Sequence, residues 1–253
     1  MISVKNTLRN IANNNIFNLI LEKHIFSPND CVRVLGSLSS NTSLTGLTIR
    51  GCKTDMDALT IMLSNNNSLA SLTLCHIGLT DNDIYILSRE LSINTNLKML
   101  CINEKFNKES LKELTEALET NTGITYLDLS GCNIDDTNII LITDMLSKNT
   151  SITSMDLEWT NIGDKGIVEL MTSPNNLLSL NLNHTAISTN VLTKTMMNNT
   201  NIIYIFLDNS PITLTKLLAR NVMLKQYKCR FDIPDELNVL VNKYISNYCY
   251  YLV

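Results

Sequence analysis

The fold that this sequence predicts is an α/β solenoid of stacked strand–helix units with a parallel sheet. Three observations predict it. One phrase keeps returning: residues 41–49 read NTSLTGLTI, 66–74 NNSLASLTL, 121–129 NTGITYLDL and 149–157 NTSITSMDL. Each is an Asn-rich turn followed by apolar–x–x–apolar–x–apolar. The phrase recurs at a near-constant interval, and self-similarity at a period of about 20–50 residues marks stacked units. Between phrases the apolar period changes from 2 to about 3.6, the mark of a helix.

The chain can be read unit by unit. Val4, Leu8, Ile11 and Ala12 fit a short amphipathic helix that caps the N-terminal end over 1–15. The strand positions then run Ile16/Leu19/Leu21, Leu44/Leu47/Ile49, Leu69/Leu72/Leu74, Leu97/Leu100/Ile102, Ile124/Leu127/Leu129, Ile152/Met155/Leu157, Leu177/Leu180/Leu182 and Ile202/Ile205/Leu207. A weaker ninth set follows at Leu224/Tyr227/Cys229, so about nine repeats span 16–230. Successive offsets are 28, 25, 28, 27, 28, 25, 25 and 22 residues.

Helices fill the intervals. Leu111, Leu114 and Leu118 share one face of 108–120, and Ile84, Leu87 and Leu91 one face of 81–93. Ser27-Pro28 reads as an N-cap with Pro in the first turn. Asp55, Asp81, Asp135 and Asp164 stand at further helix starts, where a side-chain acceptor satisfies free N–H groups. The NTS, NNN and NTN stretches are expected to end the helices in left-handed turns, which Asn tolerates. One strand and one helix cannot bury their apolar faces alone, and stacking supplies the missing surface. At the C-terminal end, 231–253 predicts a capping helix with Asp232 as N-cap and Leu237, Leu240, Val241, Tyr244 and Ile245 as its apolar stripe, with an exposed docking helix for a partner as the alternative reading.

The pattern LxxLxLxx followed by Cys, Thr or Asn and then x-Ile resembles the leucine-rich-repeat family. It stands here as LTGLTIRGC (44–52), ITYLDLSGCNI (124–134) and ITSMDLEWTNI (152–162). Units near 28 residues with full helices are similar to the ribonuclease-inhibitor-like subfamily, which includes Ran GTPase-activating proteins and the sensor regions of NOD-like receptors. The resemblance covers about 15–230 and implies a curved horseshoe with the sheet on its concave face and helices on its convex face. The 25- and 22-residue units depart from it, and there neither even curvature nor full helices are implied.

Composition narrows the function. The 253 residues are 44% hydrophobic, and no Pro/Gly/Ser-rich linker interrupts the repeat, so 1–253 reads as a single domain. A net charge of −4 disfavours nucleic acid, which calls for a basic stripe. The seven cysteines are odd in number and have no metal-ligand spacing. Cys52 and Cys132 fall at buried motif positions and Cys229 at a strand core position. The thiols are therefore expected to be free and the compartment reducing, that is, cytoplasmic. MISVKNTLRN lacks the apolar core of a signal peptide, and no run suits a membrane span, so no membrane association is expected. His24, His76 and His184 form no catalytic or metal constellation, and no phosphate-binding loop is present. A non-enzymatic chain without cofactor or metal is expected.

Alternation along each strand exposes the residues beside the apolar positions on the concave face. Units two and three present Thr48, Thr73, Arg50 and His76 there. Units five to eight present Tyr126, Asp128, Asp156, Glu158, Trp159, His184, Tyr204, Phe206 and Asp208. Asp128 and Asp156 are expected side by side, and adjacent like charges oppose a sheet by a few tenths to about 1 kcal/mol. Aromatics are the residues that anchor interfaces. This patch is the candidate binding site for another protein with a basic surface. A regulatory or GTPase-activating-like accessory of a small GTPase, and a host-directed effector or viral decoy of the same fold, are the other functions open to such a chain.

Overall fold

The structure is a computed structural model that describes residues 4–208 and 215–223. Helix α1 (Val4–Ala12) precedes seven strand–helix pairs: β1 (Asn18–Glu22) and α2 (Pro28–Leu38), β2 (Gly46–Arg50) and α3 (Met56–Asn65), β3 (Ser71–Cys75) and α4 (Asp81–Ile93), β4 (Met99–Asn103) and α5 (Lys108–Glu119), β5 (Tyr126–Asp128) and α6 (Ile139–Lys148), β6 (Ser154–Asp156) and α7 (Asp164–Thr172), and β7 (Ser179–Asn181) and α8 (Thr189–Met196). Strand β8 (Tyr204–Phe206) and a helical segment over 215–223 complete the described chain. The strands form one parallel sheet in sequence order. Its register matches the apolar columns: Leu19 pairs with Leu47, Leu47 with Leu72, Leu72 with Leu100 and Leu100 with Leu127.

The core is one continuous layer between sheet and helices. Leu47, Leu72, Leu100, Leu127, Met155 and Leu180 are buried beneath the strands, and Leu35, Leu59, Leu87, Leu114, Ile142 and Leu170 meet them from the helices. The other face of the sheet is uncovered. Cys52 and Cys132 are buried as the motif requires, and all five described cysteines are free. Burial is the main cause that pushes the Cys132 thiol up to about 12. Three units are 25 residues long, and their helices α3, α7 and α8 have 10, 9 and 8 residues, against 13 for α4. The expected ninth strand and the capping helix of 231–253 lie outside the described residues.

Two local expectations are corrected. Ser27 and Asp55 are N-caps, accepting from Asp30 N and Ala58 N, and Asp135 accepts from Thr137 N and Asn138 N in the turn before α6. Asp81 and Asp164, however, are first helical residues behind the caps Thr80 and Gly163. Their carboxylates reach the next unit: Asp81 accepts from Ser110 Oγ at 2.6 Å, and Asp164 from Ser188 N and Oγ at 2.7 and 2.9 Å.

The asparagine turns differ from expectation except after α1, where Asn14 is left-handed with φ of 49°. Asn66, Asn94 and Asn149 have φ of −90°, −75° and −74°, which is extended backbone. They recur for their amides. Asn149 Oδ1 accepts from Ser151 N and Ile152 N in its own turn, while its Nδ2 donates to Leu118 O and Asn121 O in the preceding unit, at 2.7 and 2.9 Å. Asn66 and Asn121 repeat all four bonds. At these three turns a buried carboxamide thus closes the turn and fastens it to the carbonyls at the previous helix end, groups that are costly to leave unpaired when buried.

Candidate recognition site

Strands β5 to β8 carry the sequence-predicted patch onto the open face of the sheet. Asp128 is directly opposite Asp156, Asp156 opposite Asn181, and Asn181 opposite Phe206. Tyr126, Asp128, Asp156 and Glu158 are half-buried; Trp159, His184, Tyr204, Phe206 and Asp208 are exposed.

Asp128 and Asp156 have a local structural use that was not expected. Asp128 Oδ1 accepts from Ser130 N at 2.8 Å, Asp156 Oδ1 from Glu158 N at 2.9 Å, and Asn181 Oδ1 from Asn183 N at 3.1 Å. Each side chain folds back on the amide two residues ahead and turns the chain out of the strand. Folding therefore does account for part of the Asp128–Asp156 juxtaposition. The pair still leaves charge to be managed. Burial pushes the Asp156 carboxyl above the ordinary carboxylate range, and the charges of Asp128 and Glu158 add to this against the hydrogen bonds from Glu158 N and Asn181. Burial, with Asp156 and Asp128 nearby, likewise raises the Tyr126 phenol.

Asn181 joins the carboxylates, its Nδ2 donating to Asp156 Oδ2 at 2.9 Å and to Glu158 Oε2 at 3.0 Å. The Tyr126 hydroxyl lies 3.4 Å from Asp156 Oδ2. One step along, the Trp159 and His184 rings stack with centroids 4.0 Å apart at 25°. His184 Nδ1 is 3.2 Å from Asp208 Oδ2, which also accepts from His184 N, and His184 Nε2 is 3.8 Å from Glu158 Oε1. Among the described residues no lysine or arginine is paired with these four carboxylates.

The column containing Trp159 has an unusual backbone. Gly51, His76, Gly131, Trp159 and His184 all have φ between 51° and 69°. Glycine adopts this left-handed conformation freely, whereas a residue with a Cβ gives up roughly 1–2 kcal/mol. The strain sits under the one tryptophan, which is 64% exposed. Sequence reasoning named the nine patch residues but missed Asn181 as their link, the aspartate turns and this column. The alternation of Gly51 and Gly131 with His76, Trp159 and His184 was the available signal.

An open parallel sheet in sequence order, a helix behind each strand, and Leu columns with an asparagine at all but one of the turns define the leucine-rich-repeat fold, and this chain has it. One solved structure agrees on that point, and two others show similarity alone. The protein LegL7 from Legionella pneumophila, a leucine-rich-repeat-containing protein, superimposes with a TM-score of 0.55 at 16% identity over 87% of this chain and 77% of its own. The C-terminal domain of Caenorhabditis elegans tropomodulin matches at 14% identity over 59% of this chain and 98% of its own, with a TM-score of 0.47. Leiomodin-1 actin-binding site 2 matches at 29% over 50% and 80%, with a TM-score of 0.44. The sequence matches no family model and no curated protein. Among the described residues no cluster of His, Cys, Asp or Glu suits a metal ion, and no helix is long and apolar enough to cross a membrane.

Proposed function

We propose that the chain is a non-enzymatic protein-recognition module of the ribonuclease-inhibitor-like type, working in a reducing compartment. Its concave face engages a partner with a basic surface through β5–β8. The observation that carries this reading is Trp159. Its ring stands in solvent on a left-handed residue, at the position where the preceding unit has Gly131. Stacking on His184 holds the ring in a defined pose, which lowers the entropy lost on binding. Tyr204 and Phe206, each more than half exposed, extend the apolar surface two strands along. Asp128, Asp156, Glu158 and Asp208 surround these rings with negative charge that no lysine or arginine among the described residues neutralises. Such a field speeds association with a cationic surface and sets orientation more than it adds affinity.

The test is affinity capture from the native cell by wild type and by Trp159→Ala, followed by binding kinetics on the captured protein. Trp159→Ala should weaken binding by ~2 kcal/mol or more, as loss of a central anchor does. The carboxylates should appear in the association rate and its salt dependence. A folded Trp159→Ala variant that binds with wild-type affinity overturns this reading.

A further inference from the structure

The asparagine series has one break, and it is open to solvent. An asparagine stands three residues before the first apolar strand position at 41, 66, 94, 121, 149, 199 and 221, but in the seventh unit that position is Pro174. Proline has no amide side chain. Its neighbour Asn175 turns inward to its own unit, donating to Leu170 O and Ser173 O at 3.0 and 2.9 Å. Two carbonyls of the sixth unit therefore lose their donor. Leu118 O and Asn121 O each accept from Asn149 Nδ2. Their equivalents one unit on, Leu146 O and Asn149 O, accept no hydrogen bond from any described residue. On the far side of the break, Asn199 is only 9% exposed. Its Oδ1 accepts from Asn201 N and Ile202 N, but its Nδ2 donates to no described residue.

These groups surround one cavity of about 370 Å³, lined by Leu146, Asn149, Pro174, Asn175 and Asn199 among others. A groove alone is not distinctive. One of about 280 Å³ lies between Asn41 and Asn67, where Asn66 completes its bonds to Leu38 O and Asn41 O. What distinguishes the gap at Pro174 is a pair of unmet acceptors on one side and an unmet donor on the other. The chain itself shows that a planar N–H donor from elsewhere can serve such a carbonyl pair. Arg220 Nη2 donates to Met196 O and Asn199 O, the same two positions in the eighth unit.

We infer that the gap at Pro174 binds a primary carboxamide, the side chain of an asparagine or glutamine on a partner polypeptide. The N–H2 group of that amide matches Leu146 O and Asn149 O, and its carbonyl matches Asn199 Nδ2. A guanidinium fits the two acceptors but leaves the Asn199 amide unanswered. The volume suits a glutamine side chain with part of its backbone and falls in the range of small-ligand sites. This edge, at the ends of α6 and α7, is apart from the strands of the concave patch and independent of the function proposed for them.

Propionamide is the probe, followed by NMR on 15N-labelled protein through the side-chain N–H2 signal of Asn199. The expected result is a saturable shift in the millimolar range with propionamide, none with N,N-dimethylpropionamide, and none at Asn66, where the series is intact. Two variants sharpen it. Pro174→Asn with Asn175→Thr and Asn176→Ser recreates the NTSL of residues 41–44; it should fill the gap, raise Tm by about 2–4 °C and abolish the propionamide shift. Asn199→Asp keeps the oxygen that accepts from Asn201 N and Ile202 N and puts a charged acceptor where the donor was, facing the carbonyl of the probe; it should weaken propionamide at least fivefold, read from the Asn149 signals, and it serves if the triple variant does not fold. The inference is overturned if no saturable shift occurs, if both amides shift the signals alike, if methylguanidinium binds in place of propionamide, or if the folded triple variant binds as wild type does.

Discussion

Strands β1 to β4 have five residues each and β5 to β8 have three each, though all eight share one register and one buried layer. The difference arises at one column. In the first half the central outward position holds Ile20, Thr48, Thr73 and Cys101, and the strand continues two residues further. In the second it holds Asp128, Asp156, Asn181 and Phe206. The first three of these bend back onto the amide two residues ahead. The halves also differ in charge. Glu22 in the first is paired with Arg50 at 3.7 Å, while the second gathers four carboxylates with, among the described residues, only His184 as a basic neighbour. The inner face of the sheet is therefore uniform and supports the stack, while the outer face has diverged, and divergence without loss of register is the condition for a specific surface on a repetitive frame.

If the halves are alike inside, equal cavities should cost alike. Leu72 in β3 and Leu127 in β5 are each fully buried between neighbouring units. Leu72→Ala and Leu127→Ala should each lower stability by about 2–5 kcal/mol in denaturant melts. A loss below ~1 kcal/mol at either would break the claim of a common core.

That inner half of the comparison was legible in the sequence, because burial on alternate positions writes itself into residue type. The leucine columns gave eight strands in their correct register, and the helices expected over 81–93 and 108–120 from a period near 3.6 stand at Asp81–Ile93 and Lys108–Glu119. The patch was legible as a set of positions but not as a mechanism. Whether Asp156 bonds to the amide of Glu158, or Asn181 reaches two carboxylates, depends on side-chain torsions that periodicity does not carry. The asparagines show the same limit. Their recurrence was plain, yet it was assigned to left-handed backbone, which holds at Asn14, while at Asn66, Asn94 and Asn149 the torsions are extended and the amide is the reason for the residue. Left-handed residues do recur, at Gly51, His76, Gly131, Trp159 and His184, where two of five are glycine and the pattern is diluted.

Protonation separates the halves more gently, since the corresponding column of β2 and β3 holds Thr48 and Thr73, which do not titrate. The Asp156 carboxyl is raised above its ordinary value of 3.8 in the folded state, chiefly by burial. A carboxyl so raised binds its proton more readily folded than unfolded, so it opposes folding while ionised and this opposition fades as pH falls through the raised value toward 3.8. Asp156→Asn keeps the side-chain oxygen for Glu158 N and removes the titration. The stability of wild type relative to Asp156→Asn should therefore rise as pH is lowered from neutrality into that window, as followed by thermal melts at matched ionic strength. A difference that is flat with pH, or that falls, contradicts the raised value.

The smallest expected change in stability belongs to the most conspicuous residue. Trp159→Gly replaces a left-handed tryptophan with the residue that the preceding unit already has there, Gly131. Relief of the backbone should return roughly 1–2 kcal/mol. Loss of the stack on His184 should remove about 0.5–1.5 kcal/mol, and the greater freedom of unfolded glycine another ~0.5–1 kcal/mol. The buried layer is untouched, because Trp159 is mostly in solvent and its N–H bond to Asn183 O is made by the backbone. The three contributions nearly cancel, so the melt should shift by between a gain of ~1 and a loss of ~1.5 kcal/mol, while partner binding should fall as far as in Trp159→Ala. The reverse exchange is not neutral. At Gly131, with φ of 69°, an added Cβ would stand 2.6 Å from Asn103 Nδ2, so Asn103 would have to move and give up its bond to Ser130 O, while the sixth unit presents its largest side chain there. A Trp159→Gly variant destabilised by several kcal/mol would mean that the indole supports the fold, and the contrast between an inner face built for stability and the outer face proposed for recognition would fail at its central residue.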